Sequence, residues 1–198
     1  MTARGISRED VLGAAVSILD SGGLPSLAMR RIADELGVRQ SALYWHFSNK
    51  QELLAGVADR ILEQVAAPAG LTWQDRLTEL ALNLRAELLV HQDGAELVAT
   101  AFAFRLGAKD PLRHFAAELA REGFAREEAE TAASVLLHFI LGFTTSEQQH
   151  AQAASLGAID AEASTDDLGR QFTTDRFVRG LALIVAGIHG TAARTGGI

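Results

Sequence analysis

Cysteine is absent from the 198-residue chain, which removes disulfides, thiolate zinc sites and a cysteine nucleophile from consideration. No apolar run approaches the roughly 18 residues that span a bilayer. The opening MTARGISRED lacks the apolar core of a signal peptide, so a soluble, cytoplasmic protein is expected. No segment alternates apolar and polar residues in the rhythm of a half-buried strand, and there is no internal repeat or low-complexity tract. Proline occurs only three times, at Pro25, Pro68 and Pro111, each where a helical pattern is interrupted or begins. A catalytic constellation is missing too. The hydroxyls of Thr144, Thr145 and Ser146 have no base in sequence reach except the distant His138 and His150, and no pair of carboxylates stands out, so an enzyme is not expected. The histidines do not form a metal site. His138 and His150 are more than three helical turns apart, His91 near Asp93 suits a helix C-terminus, and His114 and His189 have no partners at ligand spacing. No metal or cofactor is expected.

What remains is a chain with 48% hydrophobic residues and a net charge of −7, enough apolar material for one or two packed domains. The charge is unevenly placed. Residues 1–50 carry six cations (Arg4, Arg8, Arg30, Arg31, Arg39, Lys50) against five acids (Glu9, Asp10, Asp20, Asp34, Glu35), a balance of +1 that leaves −8 for residues 51–198. Four of those cations fall between residues 30 and 50. A small module facing a polyanion on an acidic body would have this distribution.

Every periodic segment reads as helix, so the fold class is all-α. Ser7 is a suitable N-cap, followed by the acidic first turn Glu9–Asp10 and an apolar stripe of Val11, Leu12, Ala15, Ile18 and Leu19 that ends at Gly22–Gly23. A second short helix carries Ile32, Ala33 and Leu36 and stops at Gly37, which accepts the positive φ of a left-handed cap. Only Val38, Arg39 and Gln40 intervene before a third helix that turns Leu43 and Phe47 inward. So tight a turn forces the two helices to cross steeply, the helix-turn-helix arrangement, whose second helix enters the DNA major groove. Downstream, helices are expected over 50–67, from Thr72 (with Asp75 in a capping-box position) to 90, over 95–104, from Asp110–Pro111 to 122, over 126–152 and over 174–193. Residues 153–171 read as a polar excursion. The Ala-rich face of 126–152 and the almost wholly apolar 174–193 both need partners beyond one chain, which points to a homodimer. The expected division is a DNA-binding domain at 1–48 and a helical ligand-binding and dimerisation domain at 49–198.

The segment SALYWHFSNKQELL resembles the TetR family of bacterial transcriptional regulators. WQDRLTELALNLRAELLVHQDGAELV, HFILG at 138–142 and EQQH at 147–150 are similar to the body of the tetracycline-responsive repressors within it. The resemblance implies an all-α homodimer that binds a double-stranded DNA operator through its N-terminal helices and a small-molecule inducer in its body. Matched residue by residue, Arg30 falls where the family uses an arginine able to reach guanine. Gln40, Ser41 and Ala42 open the recognition helix, and Tyr44 and His46 lie where phosphate or base is contacted. Lys50 begins the next helix facing phosphate, and Arg39 replaces an acidic residue and adds a further cation. Trp45 is expected to turn into the core and Arg31 to be solvated. Met29 stands where a DNA-contacting threonine would be, so operator sequence does not transfer.

The inducer side departs from the family pattern. Val98 replaces the histidine that holds drug-bound magnesium, Leu80 and Leu84 replace a polar and an aromatic pocket residue, Ala66 replaces a histidine, and Ser146 an acid. Magnesium wants oxygen ligands, and these positions offer almost none, so magnesium-tetracycline is not the expected inducer. Leu80, Leu84, Val98, Phe102, Phe115, Phe139 and Phe143 either line an apolar cavity or simply fill it. A ligand there would be largely hydrophobic, with Thr100, Ser134, Thr144 or Ser146 as its few polar anchors. A transcriptional repressor released by such a ligand is the expected function. The alternative is a small-molecule binding or sequestering protein whose helix-turn-helix is idle.

Overall fold

The computed structural model describes residues 5–107, 109–158 and 172–195, without the side chains of 191–195. Among the described residues it contains nine helices and no strand. They are α1 (Arg8–Ser26), α2 (Met29–Glu35), α3 (Gln40–Leu43), α4 (Lys50–Glu63), α5 (Trp73–Val90), α6 (Gly94–Ala103), α7 (Pro111–Arg121), α8 (Arg126–Ser155) and α9 (Thr174–Thr195). The chain divides into two compact units, one of Met1–Gln64 with Glu87–Lys109, the other of Val65–Ala86 with Asp110–Ile198.

In the first unit, α1 starts in a complete capping box. Asp10 N–H donates to Ser7 Oγ (3.1 Å), while Ser7 N–H donates back to the Asp10 carboxylate (2.8 Å). Its buried stripe is the one expected, Val11, Leu12, Ala15, Ile18 and Leu19. The helix is interrupted at Gly23, whose φ of 70° only glycine adopts freely. The break is gripped from the turn before α6. Asp93, itself at φ 56°, accepts the Leu24 N–H through its carboxylate at 2.8 Å, and His91 Nδ1 lies 2.8 Å from Asp20 Oδ1. His91 is thus paired across the fold with an acid of α1. The loop that follows α6 is bound to α4 in a similar way, with Asp59 accepting the Lys109 N–H at 2.8 Å.

α4 ends at Glu63, four residues short of the expected 67. Proline disfavours helix in the residue before it, and the backbone ahead of and behind Pro68 is used elsewhere. Ala66 C=O accepts from Asn83, and the N–H groups of Ala69 and Gly70 donate to Glu79.

In the second unit, Thr72 and Asp75 form the expected box at the start of α5 (Asp75 N–H to Thr72 Oγ1, 3.1 Å), and hydrogen bonds from Thr72 hold the Asp75 carboxyl below its ordinary range. Asp110 caps α7 by accepting the Leu112 N–H. α8 runs three residues beyond the expected end, to Ser155. Of the polar excursion at 153–171, residues 159–171 lie outside the described residues. The core of this unit is Leu77, Leu80 and Leu84 of α5, Phe115 and Leu119 of α7, Ala133, Leu136, Leu137 and Ile140 of α8, and Phe177 and Leu181 of α9.

Candidate nucleic-acid interface

α2 buries Met29, Ile32 and Ala33 and then closes in a hydrogen-bonded cap. Val38 N–H reaches back to Ala33 C=O (3.0 Å) and Gly37 N–H to Asp34 C=O (3.2 Å), with Gly37 at φ 64°. Met29 is therefore spent on the core rather than on a partner, which is the physical sense of its departure from a polar residue. Arg30 points the other way. Its side chain is exposed and only 4.0 Å from Asp34.

α3 is a single turn, and the backbone continues as a turn to Phe47, whose N–H donates to Leu43 C=O. Leu43 and Phe47 are both fully buried. They anchor the segment and fix what faces outward: Gln40, Ser41 and Tyr44 exposed, Ala42 and His46 half-buried. Trp45 contradicts the sequence expectation. Its side chain is 89% exposed, because a residue two positions from Leu43 lies about 200° round a helix, and Leu43 with Phe47 already occupies the inward face. The spacing of that inward pair itself implies an outward Trp45.

The chain then enters α4 through a tight acidic cap. Asn49 accepts the Glu52 N–H (2.8 Å), and Ser48 donates both its N–H (2.8 Å) and its hydroxyl (2.6 Å) to the Glu52 carboxylate. Those bonds, with a smaller contribution from the Arg8 charge, hold the Glu52 carboxyl below its ordinary value of 4.5. Lys50 stands exposed on the first turn of α4. Arg31, Arg39 and Lys50 have no carboxylate within ion-pair distance among the described residues, whereas Arg60 is paired with Glu9. Gln40 Nε2 donates to Tyr44 Oη at 3.1 Å. The surface therefore offers amide, hydroxyl and indole groups flanked by unneutralised cations, a chemistry suited to base edges and phosphates.

The residues expected to face a ligand are divided between the two units. Val98 and Phe102 belong to the first, Val98 buried and Phe102 half-buried. Leu80, Leu84 and Phe115 are buried in the second. Phe139 and Phe143 are half-buried there and make ring contacts with Phe177, both at 5.3 Å. Of the candidate anchors, the Ser146 hydroxyl donates to Gly142 C=O and the Thr144 hydroxyl to Ile140 C=O, so each retains only acceptor capacity. Sequence reasoning missed the charged neighbours of this aromatic group. Arg85, 7% exposed, makes two hydrogen bonds to Glu147 (3.0 and 2.6 Å) and lies 5.0 Å from the Phe177 ring centroid. No spacing signal marks a pair drawn from helices α5 and α8. A separate open groove of about 790 Å³ runs between α8 and α9, lined by Thr131, Ala132, Val135, Ile184, Gly187 and Ile188 among others.

Two family models match the chain: "Bacterial regulatory proteins, tetR family" over residues 11–57, and "Tetracyclin repressor-like, C-terminal domain" over 67–192. The chain belongs to the TetR family. Its C-terminal region is of the tetracycline-repressor type. The class E tetracycline repressor protein of Escherichia coli is 37% identical over 166 residues, 79% of this chain and 75% of that protein. Among solved structures, Mycobacterium smegmatis BioQ is 38% identical with a TM-score of 0.80, covering 92% of this chain and 97% of that one. BioQ in complex with its natural double-stranded DNA operator gives 37% identity and a TM-score of 0.74, covering 92% and 98%. TetR-family members are DNA-binding transcriptional regulators with an N-terminal helix-turn-helix, and none of the described helices of this one is long and apolar enough to cross a membrane.

Proposed function

We propose that the protein is a ligand-responsive transcriptional repressor that binds a palindromic operator as a homodimer. Residues 1–48 serve as the DNA-binding domain and residues 49–198 as the ligand-binding and dimerisation domain. The observation that carries this reading is the outward face of the recognition segment. Leu43 and Phe47 are spent on the core, which leaves Gln40, Ser41, Ala42, Tyr44, Trp45 and His46 to a partner. Arg30, Arg39 and Lys50 supply the charge that phosphates attract. A DNA operator is named in the structure of a 37%-identical relative, which supports the same partner here.

The dimer would form through α8 and α9. Val135, Val178 and Leu183 are exposed apolar side chains on these helices, and the groove between them is lined mainly by small and apolar residues, with Glu127, Glu128 and Thr131 also lining it. A second copy would complete a four-helix bundle, an isologous interface. Two recognition segments would then stand about 34–36 Å apart, one turn of DNA.

The inducer in this reading is small and largely hydrophobic. The name of the class E relative points to tetracycline, but the residues at the matched positions here are Leu80, Leu84, Val98, Ala66 and Ser146, and a magnesium-bound drug would find no carboxylate or imidazole among them. Induction would work by population shift, as far as the ligand's affinities for the two conformers differ. The test is footprinting on the DNA flanking the gene, followed by a thermal-shift screen biased to apolar compounds. A protected palindrome supports the reading, and the absence of any sequence-specific, salt-sensitive complex contradicts it.

A further inference from the structure

Gln40 and Tyr44 stand one helical turn apart, and the hydrogen bond between them is aimed in a particular sense: the Gln40 amide donates through Nε2 and Tyr44 Oη accepts, at 3.1 Å. A primary amide has two N–H donors and one carbonyl acceptor. With one N–H committed to Tyr44, the second N–H and Oε1 remain available. That is the donor and acceptor pair that adenine N7 and N6–H require in the major groove. Tyr44, accepting through its oxygen, keeps its own O–H to donate. Both residues are exposed, Tyr44 by 48%, so the remaining polar valences of both side chains face solvent.

We propose that Tyr44 is a positioning residue for base reading: its hydroxyl fixes the Gln40 amide in the orientation that selects adenine over guanine, while donating its own proton to a backbone phosphate. The inference rests on the proposed role of α3 as the DNA-reading helix. A free glutamine would enter the groove with several rotamers to lose, and its amide could turn over. Turned over, it would present N–H to guanine O6, and discrimination would fall. The Tyr44 bond removes rotamers, which favours affinity by preorganisation, and once the phenol O–H is committed to phosphate its oxygen can only accept, which keeps Nε2 towards Tyr44 and sets the amide's orientation. Phosphate anchoring and base reading then form one hydrogen-bonded chain from Gln40 Nε2 through Tyr44 Oη to the DNA.

The experiment uses the full-length protein and the operator identified by wild-type footprinting, with each base pair of a half-site substituted in turn. Binding is measured by fluorescence anisotropy. Gln40→Ala locates the base pair that Gln40 reads, as the position whose preference disappears. Tyr44→Phe is expected to reduce the adenine-over-guanine preference at that same position by roughly five- to a hundredfold, the span of one bidentate base contact. It should leave the preferences at other positions and the melting temperature unchanged. Gln40→Ala/Tyr44→Phe should differ from Gln40→Ala only by a weakening that is equal for all operators, since the phenol no longer bonds to phosphate. A structural role for Tyr44 would lower the melting temperature and would not single out one base pair. If Tyr44→Phe weakens all operators equally and keeps the adenine preference, the inference is overturned and Tyr44 is a phosphate contact alone. A wild-type chain with no preference among operators overturns the DNA-binding reading itself. Wild-type preference that Gln40→Ala abolishes and Tyr44→Phe retains overturns only this inference.

Discussion

Leu43 and Trp45 are two residues apart and meet opposite environments, one fully buried and the other 89% exposed. Trp45 shares its exposed stretch with Gln40, Ser41 and Tyr44, so its indole is accessible to whatever those polar groups meet. Leu43→Ala is expected to destabilise the fold by roughly 2–5 kcal/mol, the cost of a core truncation. Trp45→Ala should change stability by no more than about 0.5 kcal/mol while weakening operator binding by about 1 kcal/mol or more, the cost of truncating an interface tryptophan. Thermal melts and binding isotherms on the two variants separate the roles, and a Trp45→Ala protein that binds DNA normally would remove the indole from the interface. At this scale the sequence is legible where one periodicity decides the matter, as for Leu43 and Phe47. It misleads where the exposed face is assigned from the neighbours Tyr44 and His46 instead of from that periodicity, as for Trp45. Met29 is recognisable as unable to donate a hydrogen bond, but only its burial shows that it does not face the partner at all.

Helix starts and stops are local chemistry, and most were legible: Ser7 with Asp10, Thr72 with Asp75, Asp110 before Pro111, and the positive φ at Gly37. What tertiary contacts decide was not. The backbone around Pro68 is held by Asn83 and Glu79, and the break in α1 by Asp93, residues remote in sequence. Asp93→Ala would leave the Leu24 N–H without its acceptor and should cost roughly 1–3 kcal/mol, with faster amide exchange at Leu24 as the specific sign. Unchanged exchange there would show that the grip is dispensable. The cap of α4 has a pH signature. Ser48 holds the Glu52 carboxyl below its ordinary value of 4.5, so the charged form is favoured by folding. The resulting stability is fully present above about pH 4.5 and is lost as the pH falls through the lower, folded-state value. Melting temperatures followed from neutral pH to about pH 3 should therefore decline more steeply for the wild type than for Glu52→Gln; parallel curves would mean that the cap contributes nothing.

Over the whole molecule, the +1 and −8 division of charge anticipates a DNA-facing end on an acidic body, and the structure refines it. In the N-terminal module Glu9 is paired with Arg60, and Asp10 and Glu52 are engaged in caps, while Arg31, Arg39 and Lys50 keep their charge for a partner. The body was legible as apolar helices, but not the part-buried Arg85–Glu147 pair, because helix spacing says nothing of contacts between α5 and α8. The apolar strips on α8 and α9 predict that Leu183→Glu, at a side chain 76% exposed in the single chain, yields a monomer in sedimentation at micromolar concentration. A dimer unaffected by a buried charge would place the interface elsewhere. Whether the N-terminal unit reads DNA through the face of α3 is decided by the salt dependence of binding to the DNA flanking the gene, for wild type and Lys50→Ala. The expected result is a sequence-specific complex that weakens linearly in log–log form with salt. Lys50→Ala should give a uniformly weaker complex whose slope is smaller by about one, the share of the single phosphate that the ammonium neutralises. Binding that is absent, insensitive to salt or identical in the variant would contradict DNA reading by this face.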